Sequence, residues 1–303
     1  MMTSKVQSLK DFLGGQGRIA LVEVAGTRGS TPREKGAFML VSPSATSGTI
    51  GGGQLEYMAI DKARQMLASL PSRKRQGKET GIEVDEVCAT LDVPLGPEIG
   101  QCCGGRVEVL IRLVDGVLAA ELVSAAEAEE AHLPHVYIFG GGHVGQALAS
   151  TIALLPVHGV VIETRAEALE GMPETVETRL TPMPEAEVRN APAGTAFAIL
   201  THDHALDFLI VTEALKRDDA AYVGMIGSKT KKATFRSWFL KSGDGTDAEF
   251  ARLVSPIGGD AVKDKRPPVI AALAAAEIMT ALVIHNAASN ADLKIPHDRV
   301  IAG

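Results

Sequence analysis

Residues 136–145 read Val-Tyr-Ile-Phe-Gly-Gly-Gly-His-Val-Gly, an apolar run followed at once by closely spaced glycines. Gly140, Gly142 and Gly145 fit the pattern G-x-G-x-x-G, which joins a buried strand to a helix. The first glycine permits a tight turn, the second lets the backbone approach a diphosphate, and the third lets helix and strand pack closely. The sequence therefore predicts a strand, a phosphate-binding loop and a helix in direct succession.

Downstream of this loop, short apolar runs alternate with helical stretches. Such alternation indicates βαβ units and a mostly parallel sheet. We therefore predict a Rossmann-like α/β domain over residues 134–303. Its predicted strands lie at 136–139, 160–163, 196–201 and 222–226, and its predicted helices at 144–155, 205–216 and 228–240.

The N-terminal half shows a separate set of patterns, which predicts an N-terminal α/β domain over residues 1–115. Residues 118–133 are rich in alanine and glutamate without a strong apolar stripe, so a linker, helical or not, is predicted over 116–133. Within the N-terminal half, helices are predicted at 4–13 and 54–70, and strands at 18–24, 38–42, 84–91 and 106–114.

Composition narrows the class of protein. Apolar residues form 46% of the 303 residues, enough for a core in each half, and the formal net charge is −7. A general nucleic-acid surface is disfavoured because backbone binding needs a basic field. The polar N-terminus predicts no signal peptide. The three cysteines, Cys88, Cys102 and Cys103, are odd in number and two are adjacent, which makes a poor disulfide framework and predicts a reducing cytoplasm.

The longest apolar run, Val269 to Ile284, carries Glu277 in its middle and falls short of about 20 residues. It predicts a core helix rather than a membrane span, so no membrane partner is expected. The same helix offers a surface for a homodimer, and the sequence leaves open whether it is buried within one chain.

Two charged residues follow the second predicted strand of the C-terminal half. Glu163 ends that strand about 20 residues after the glycine loop, where an acid commonly contacts a ribose hydroxyl. Arg165 stands two residues further and is the alternative contact, to a phosphate. The alternative to any ligand contact here is that residues 140–145 form a glycine turn that binds nothing.

Polar residues also follow the next two predicted strands. Thr201, His202, Asp203 and His204 stand where parallel strands present ligand-binding loops, and Asp203 is equally suited to capping the next helix. Gly227, Ser228 and Lys229 form another strand-to-helix turn, with Ser228 as a candidate N-cap. For Lys231 and Lys232 in the following helix, a solvated cationic face is the favoured interpretation.

Gln101-Cys-Cys-Gly-Gly105 places two adjacent thiols between glycines. A thiolate is both a nucleophile and a soft metal ligand. The alternative is the usual one for a free cysteine, a small buried apolar side chain.

Taken together, these segments resemble the XdhC/CoxI family across nearly the whole chain. Residues 259–264 depart from the usual tail of this family. The matching motifs are 24–33 (VAGTRGSTPR), 48–56 (GTIGGGQLE), 101–105 (QCCGG), 139–145 (FGGGHVG), 201–204 (THDH), 226–229 (IGSK), 255–258 (SPIG) and 265–272 (KRPPVIAA).

The resemblance implies a chaperone for the molybdenum cofactor, a pyranopterin dithiolene with a phosphate. Such a protein shields the cofactor while a cysteine desulfurase sulfurates it, then delivers it to the molybdenum subunit of xanthine dehydrogenase. The family's thiol near the cofactor matches Cys103, a possible molybdenum contact, with Cys102 as its substitute. The other cofactor-binding candidates are Gly140, Gly141, Gly142, His143, Val144, Gly145, Glu163, Arg165, Thr201, His202, Asp203, Gly227, Ser228 and Lys229.

Two other functions compete with the chaperone. The glycine loop with Glu163 and Arg165 also suits an NAD(P)-dependent oxidoreductase, which would make the protein an enzyme. A metal-dependent hydrolase built on residues 202–204 is the more distant alternative. No other catalytic motif is evident.

Overall fold

The computed structural model describes residues 5–15, 17–69, 88–96 and 104–292. They form two compact units, and the chain passes from one to the other between Glu129 and Glu130. Each unit has its own sheet and its own core.

The N-terminal unit is built on a five-stranded antiparallel sheet with the order β3-β2-β1-β5-β4. Every described strand pairs with its neighbour in the antiparallel sense, so the βαβ units of the C-terminal sheet are not seen among the described residues of this α/β unit. Its elements are α1 (Lys5–Gly15), β1 (Ala20–Arg28), β2 (Phe38–Val41), β3 (Thr46–Gly48), α2 (Gly53–Ser69), β4 (Cys88–Pro94), β5 (Arg106–Leu113) and α3 (Gly116–Ala131).

Side chains of β1 alternate between the two faces of this sheet. Ala20 and Val22 pack with the buried face of α2, while Leu21 packs with α1 and α3. Since helices cover both faces, consecutive residues of this middle strand are buried apolar side chains from Ala20 to Val22. β1 also continues to Arg28, beyond the predicted end at 24, because a bulge between Val24 and Gly26 restores its pairing with β5.

Most of the segment predicted as a linker, 116–133, forms helix α3, which ends at Ala131. Leu118, Leu122, Val123 and Ala126 pack against the N-terminal sheet. The sequence did not reveal this apolar stripe, because alanines also lie on the other faces of α3. The faces therefore differ little in hydrophobicity.

The C-terminal unit is a six-stranded sheet with the order β11-β10-β9-β6-β7-β8, in which every neighbouring pair is parallel. Its elements are β6 (His135–Phe139), α4 (His143–Ile152), β7 (His158–Glu163), a 3-10 helix (Ala166–Leu169), β8 (Glu177–Leu180), α5 (Pro184–Asn190), β9 (Ala196–Ile199), α6 (His204–Lys216), β10 (Tyr222–Met225), α7 (Lys229–Ser242), α8 (Asp247–Ala251), β11 (Leu253–Val254) and α9 (Pro267–Asp292).

This strand order is that of the Rossmann fold, with β6 as the first strand and the order reversing between β6 and β9. The predicted mostly parallel sheet is confirmed. β8, α5, α8 and β11 were not predicted, since each is short and carries no clear period.

Helices cover both faces of the parallel sheet. Ile138 and Val161 pack towards α4 and α9, whereas Phe139 and Ile162 pack towards α5, α6 and α7. Burial on both faces explains why these strands are almost wholly apolar.

The long helix α9 is longer than the predicted 269–284. Within the described residues, Pro267–Ser289 is the one helix long and apolar enough to cross a membrane by length and composition. The core helix of a soluble protein passes the same test, and Ile278 and Leu282 of α9 are buried in the core. Glu277 accepts hydrogen bonds from the Tyr222 hydroxyl at 2.8 Å and the Gly258 N–H at 2.7 Å.

If α9 is a core helix, its two faces will differ sharply in sensitivity. We expect Ile278→Ala, at a fully buried position, to lower the free energy of unfolding by roughly 2–5 kcal/mol. The matched variant Ile284→Ala, at a position 64% exposed, should change it by less than about 0.5 kcal/mol. Urea unfolding measures both, and an equal or larger loss for Ile284→Ala would contradict this packing.

Candidate functional site

The glycine loop lies at the carboxyl end of β6, beside the reversal of strand order where Rossmann folds bind ligands. Gly140 has φ +110°, and a Cβ there would lie 2.8 Å from the Leu200 carbonyl oxygen. A Cβ on Gly141 would lie 2.2 Å from the Ala168 oxygen. The loop is therefore held closely between the segments that follow β7 and β9.

Gly145 brings α4 against the loop. A Cβ at this position would lie 1.9 Å from the Gly140 carbonyl oxygen, a distance no side chain tolerates. This is the close approach of helix and strand that the third glycine was predicted to allow.

Gly142 differs from the other three glycines, because a Cβ there would meet nothing within 4 Å. It is exposed and is the N-cap of α4. Because glycine has no side chain, it cannot cap the helix with a side-chain hydrogen bond. The first N–H groups of a helix have no partner within the helix, and they carry the positive end of the helix dipole. An anion is the ligand that such a helix end favours.

Glu163 is 5% exposed and fixes the shape of the loop from the end of β7. One carboxylate oxygen accepts the Gly141 N–H at 2.9 Å, and the other accepts the Thr164 N–H at 2.8 Å. The Arg165 guanidinium donates to both oxygens. Burial raises the carboxyl pKa, but hydrogen bonds from Arg165, Gly141 and Thr164 outweigh it and lower the pKa of Glu163 to about 2.

Both oxygens of Glu163 are thus engaged by the protein itself. A ribose hydroxyl would have to displace one of these bonds, which makes Glu163 a poor match for the acid of a dinucleotide site. The Arg165 side chain is 41% exposed and keeps donors on its outer side.

The low pKa of Glu163 predicts a pH-dependent contribution to stability. We expect Glu163→Gln to lower the free energy of unfolding at pH 7 by roughly 1–3 kcal/mol, because the amide cannot replace the charge-assisted bonds. A depressed pKa stabilises the fold fully above the unfolded value of 4.5, and this contribution is lost as the pH falls towards 2.

The difference between the parent and Glu163→Gln should therefore shrink below pH 4.5. Denaturant unfolding between pH 3 and pH 8 measures it, with Glu170→Gln, at an exposed position, as the control. A difference that stays constant over this range would contradict the assigned role of Glu163.

The Thr201–His204 loop follows β9 on the other side of the glycine loop. Asp203 caps α6 by accepting the N–H groups of Ala205 at 2.8 Å and Leu206 at 3.3 Å. The capping alternative is therefore realised for Asp203. His202 and His204 are exposed and make no side-chain hydrogen bond among the described residues.

A buried ion pair supports this loop from below. Asp207 is fully buried and accepts the Thr201 hydroxyl at 2.6 Å and the Thr201 N–H at 3.2 Å. Its other oxygen accepts a hydrogen bond from the Lys231 ammonium group, which also donates to the Ile226 carbonyl oxygen at 3.0 Å. The pair ties the ends of β9 and β10 together.

The sequence-based interpretation of Lys231 as part of a solvated face was wrong, since its side chain is only 7% exposed. Its partner comes from a different helix, so spacing within α7 carries no signal. Lys232 is half-buried and donates to the Ser255 carbonyl oxygen at 3.2 Å. The closest sequence signal is Asp207, one turn after the N-cap of α6.

Removing Lys231 from the buried pair leaves the Asp207 carboxylate buried without a counter-charge. We expect Lys231→Met to lower the free energy of unfolding by roughly 3–5 kcal/mol, because the Asp207 carboxylate loses its counter-charge. Lys229→Met is the matched control, since the Lys229 side chain is 88% exposed and should change stability by less than about 0.5 kcal/mol. Urea unfolding that gives equal losses for the two variants would contradict a stabilising pair.

Gly227 and Ser228 form the turn into α7. Ser228 is the N-cap and accepts the Lys231 N–H at 3.2 Å, as predicted. A Cβ on Gly227 would lie 2.6 Å from the Lys231 side chain, so this glycine makes room for the buried lysine. Lys229 points away into solvent and lies 3.7 Å from Asp260.

Cys102 and Cys103 lie outside the described residues, and Cys88 is exposed at the start of β4. Among the residues that the structure describes, no group of three or more His, Cys, Asp or Glu side chains is arranged to hold a metal ion. The hydrolase built on residues 202–204 thus finds no support in this geometry.

The second glycine-rich loop, at residues 49–53, is occupied by the Glu56 side chain from the helix that follows it. Glu56 accepts hydrogen bonds from the Thr49 hydroxyl and from the Ile50 N–H at 2.9 Å. Burial raises the pKa of Glu56, but hydrogen bonds from Thr49, Gly52 and Ile50 bring it below its usual value. The carboxylate occupies the place that an anionic ligand would take.

The strand order, the glycine loop and the close packing of α4 on β6 define the C-terminal unit as a Rossmann-type domain. The family described as "XdhC Rossmann domain" matches residues 136–278, and the family described as "XdhC and CoxI family" matches residues 13–76. Together the matches cover more than half of the sequence, and the chain belongs to the XdhC and CoxI family.

Two relatives extend the comparison. The chain is 27% identical over 286 residues to "Uncharacterized protein YqeB" of Escherichia coli (strain K12), covering 92% of this chain but only 46% of that protein. It thus spans about half the length of this curated relative. A crystal structure from Bacillus halodurans, described as a xanthine dehydrogenase, has the same fold with a TM-score of 0.73 at 17% identity, covering 93% of this chain and 96% of the other.

Proposed function

We propose that this protein is an accessory protein that binds the molybdenum cofactor through its phosphate, protects it during sulfuration and delivers it to xanthine dehydrogenase. Membership of the XdhC and CoxI family supports the accessory role. The observation that carries the cofactor assignment is the open position at Gly142, at the uncapped end of α4.

The residues around this helix end suit a phosphate in both shape and charge. His143 is exposed beside Gly142, and Val144 is the next residue of α4. Arg165 is paired with Glu163, and its half-exposed guanidinium keeps further N–H donors on the neighbouring loop. Backbone N–H groups and a guanidinium bind phosphate without a covalent bond, which a carrier that must release its cargo requires.

The cofactor itself would supply the molybdenum and dithiolene that the recipient enzyme uses. We propose Cys103, with Cys102 as its substitute, as the thiol at the molybdenum end, which rests on the matching QCCGG motif. Thr201, Asp203 and Ser228 would act by shaping the flanking loops, since their hydroxyl and carboxylate groups are used in turns and caps.

The proposal includes the partners that this role needs. These are the molybdenum subunit of xanthine dehydrogenase as recipient and a cysteine desulfurase as sulfur donor, all in the cytoplasm. A homodimer through α9 stays a prediction.

An NAD(P)-dependent oxidoreductase is the second candidate, and one observation favours it. The strand order and the glycine spacing are those of dinucleotide-binding domains. The engagement of both Glu163 oxygens by Gly141, Thr164 and Arg165 argues against it.

The test is molybdenum and pterin content after anaerobic purification from cells that make the cofactor. We expect the parent to retain both in equal amounts. Gly142→Val should retain at least tenfold less cofactor, because the valine side chain would occupy the space proposed for the phosphate. It should keep the parent's circular dichroism and melting temperature, because a Cβ at this position meets nothing within 4 Å. Cys103→Ala, purified in parallel, tests the thiol assignment.

The control is Gly116→Val, at the start of α3. A Cβ at Gly116 also meets nothing within 4 Å, and its φ is not positive, so it matches Gly142 in steric freedom and should leave the retained cofactor unchanged. Near-zero cofactor in the parent would overturn the chaperone. Saturable NADH binding with turnover would establish the oxidoreductase instead.

A further inference from the structure

A separate cavity of about 620 Å³ lies within the N-terminal unit, among α1, α3 and the β2–β3 hairpin. Small-molecule sites commonly occupy about 300–1,000 Å³. None of the lining residues belongs to the candidate site at the glycine loop, and the proposed function makes no use of them.

The floor of this cavity is apolar. Leu9 of α1 and Leu40 of β2 are buried beneath it, at 9% and 1% exposure. Phe38, Leu122 and Ala126 are half-buried around them. Such a floor favours an acyl or aryl body over a fully polar ligand, because covering it removes apolar surface from water.

The rim is polar, and one of its charged side chains has no ion-pair partner among the described residues. Lys5 lies 2.9 Å from Glu129, so this pair is neutral. Arg33 also lines the cavity, and among the described residues it forms no ion pair. A guanidinium matches the two oxygens of a carboxylate in a bidentate arrangement, and one cation balances one negative charge.

We propose that this cavity binds an amphipathic monocarboxylate, with its acyl or aryl body on the Leu9–Leu40 floor and its carboxylate on Arg33. A neutral apolar molecule would leave the guanidinium without a partner. A small anion such as acetate would leave the floor uncovered. The inference is independent of cofactor binding at the glycine loop.

Isothermal titration of the full chain with octanoate, 1-octanol and acetate tests this proposal. Octanoate should bind saturably at one site per chain. Octanol should bind at least tenfold more weakly because it lacks the charge, and acetate at least tenfold more weakly because it lacks the apolar body. No saturable octanoate binding, or equal affinity for octanol, would overturn the proposal.

Variants locate the site. Arg33→Met should weaken octanoate binding at least tenfold. Arg28→Met is the matched control, because Arg28 ends β1 five residues before Arg33 and lines a different, polar cavity of about 330 Å³ with Asp92 and Glu108. Its octanoate affinity should stay within twofold of the parent's.

Ala126→Trp fills the floor and should abolish binding, provided that circular dichroism shows the parent fold. If that variant does not fold, Arg33→Met decides alone, since Arg33 is exposed and its replacement leaves the core intact. If Arg33→Met binds octanoate as tightly as the parent, or if Arg28→Met loses as much affinity as Arg33→Met, the carboxylate does not bind Arg33.

Discussion

The backbone contact between Gly145 and Gly140 is the constraint on which the C-terminal site depends. With a Cβ position 1.9 Å from a carbonyl oxygen, only glycine lets α4 approach the end of β6 so closely. That approach fixes where the first N–H groups of α4 point. Gly140 and Gly141 are in turn held against Leu200 and Ala168, so the loop has little freedom to move. Gly142 alone is left facing open space, which gives a ligand one direction of approach.

Two buried carboxylates hold the loops on either side of this contact. Glu163 accepts the Gly141 N–H and pairs with Arg165, whereas Asp207 accepts the Thr201 N–H and pairs with Lys231. Each carboxylate thus satisfies a backbone donor and a cation at once, which is the condition under which a buried charge is tolerated. Arg165 and Lys231 balance the charges of Glu163 and Asp207. The N-terminus of α4 is therefore not needed to balance either carboxylate.

The sequence predicted the parallel sheet well because its strands are buried on both faces and its glycines have fixed spacing. Ser228 was a candidate cap, and capping was one alternative for Asp203, because each stands before a predicted helix. The support of the site was not predictable in the same way. Lys231 is buried because Asp207 approaches it from another helix, and no pattern within α7 records that contact. Helix α3 was read as a linker because its alanines hide the stripe that packs on the N-terminal sheet. The contacts of Cys103 stay a prediction.

The two glycine-rich loops of the chain show how one residue decides between an open and a filled anion site. Gly51, Gly53 and Glu56 have the same spacing as Gly140, Gly142 and Gly145. A carboxylate at the third position folds back onto the Thr49 hydroxyl and the Ile50 N–H, so the N-terminal loop satisfies its own donors. A glycine at the third position supplies no such group and brings the helix against the strand instead. The donors at the N-terminus of α4 are then left without such a partner, and this difference is why the proposed function places the phosphate at the C-terminal loop rather than at its N-terminal counterpart.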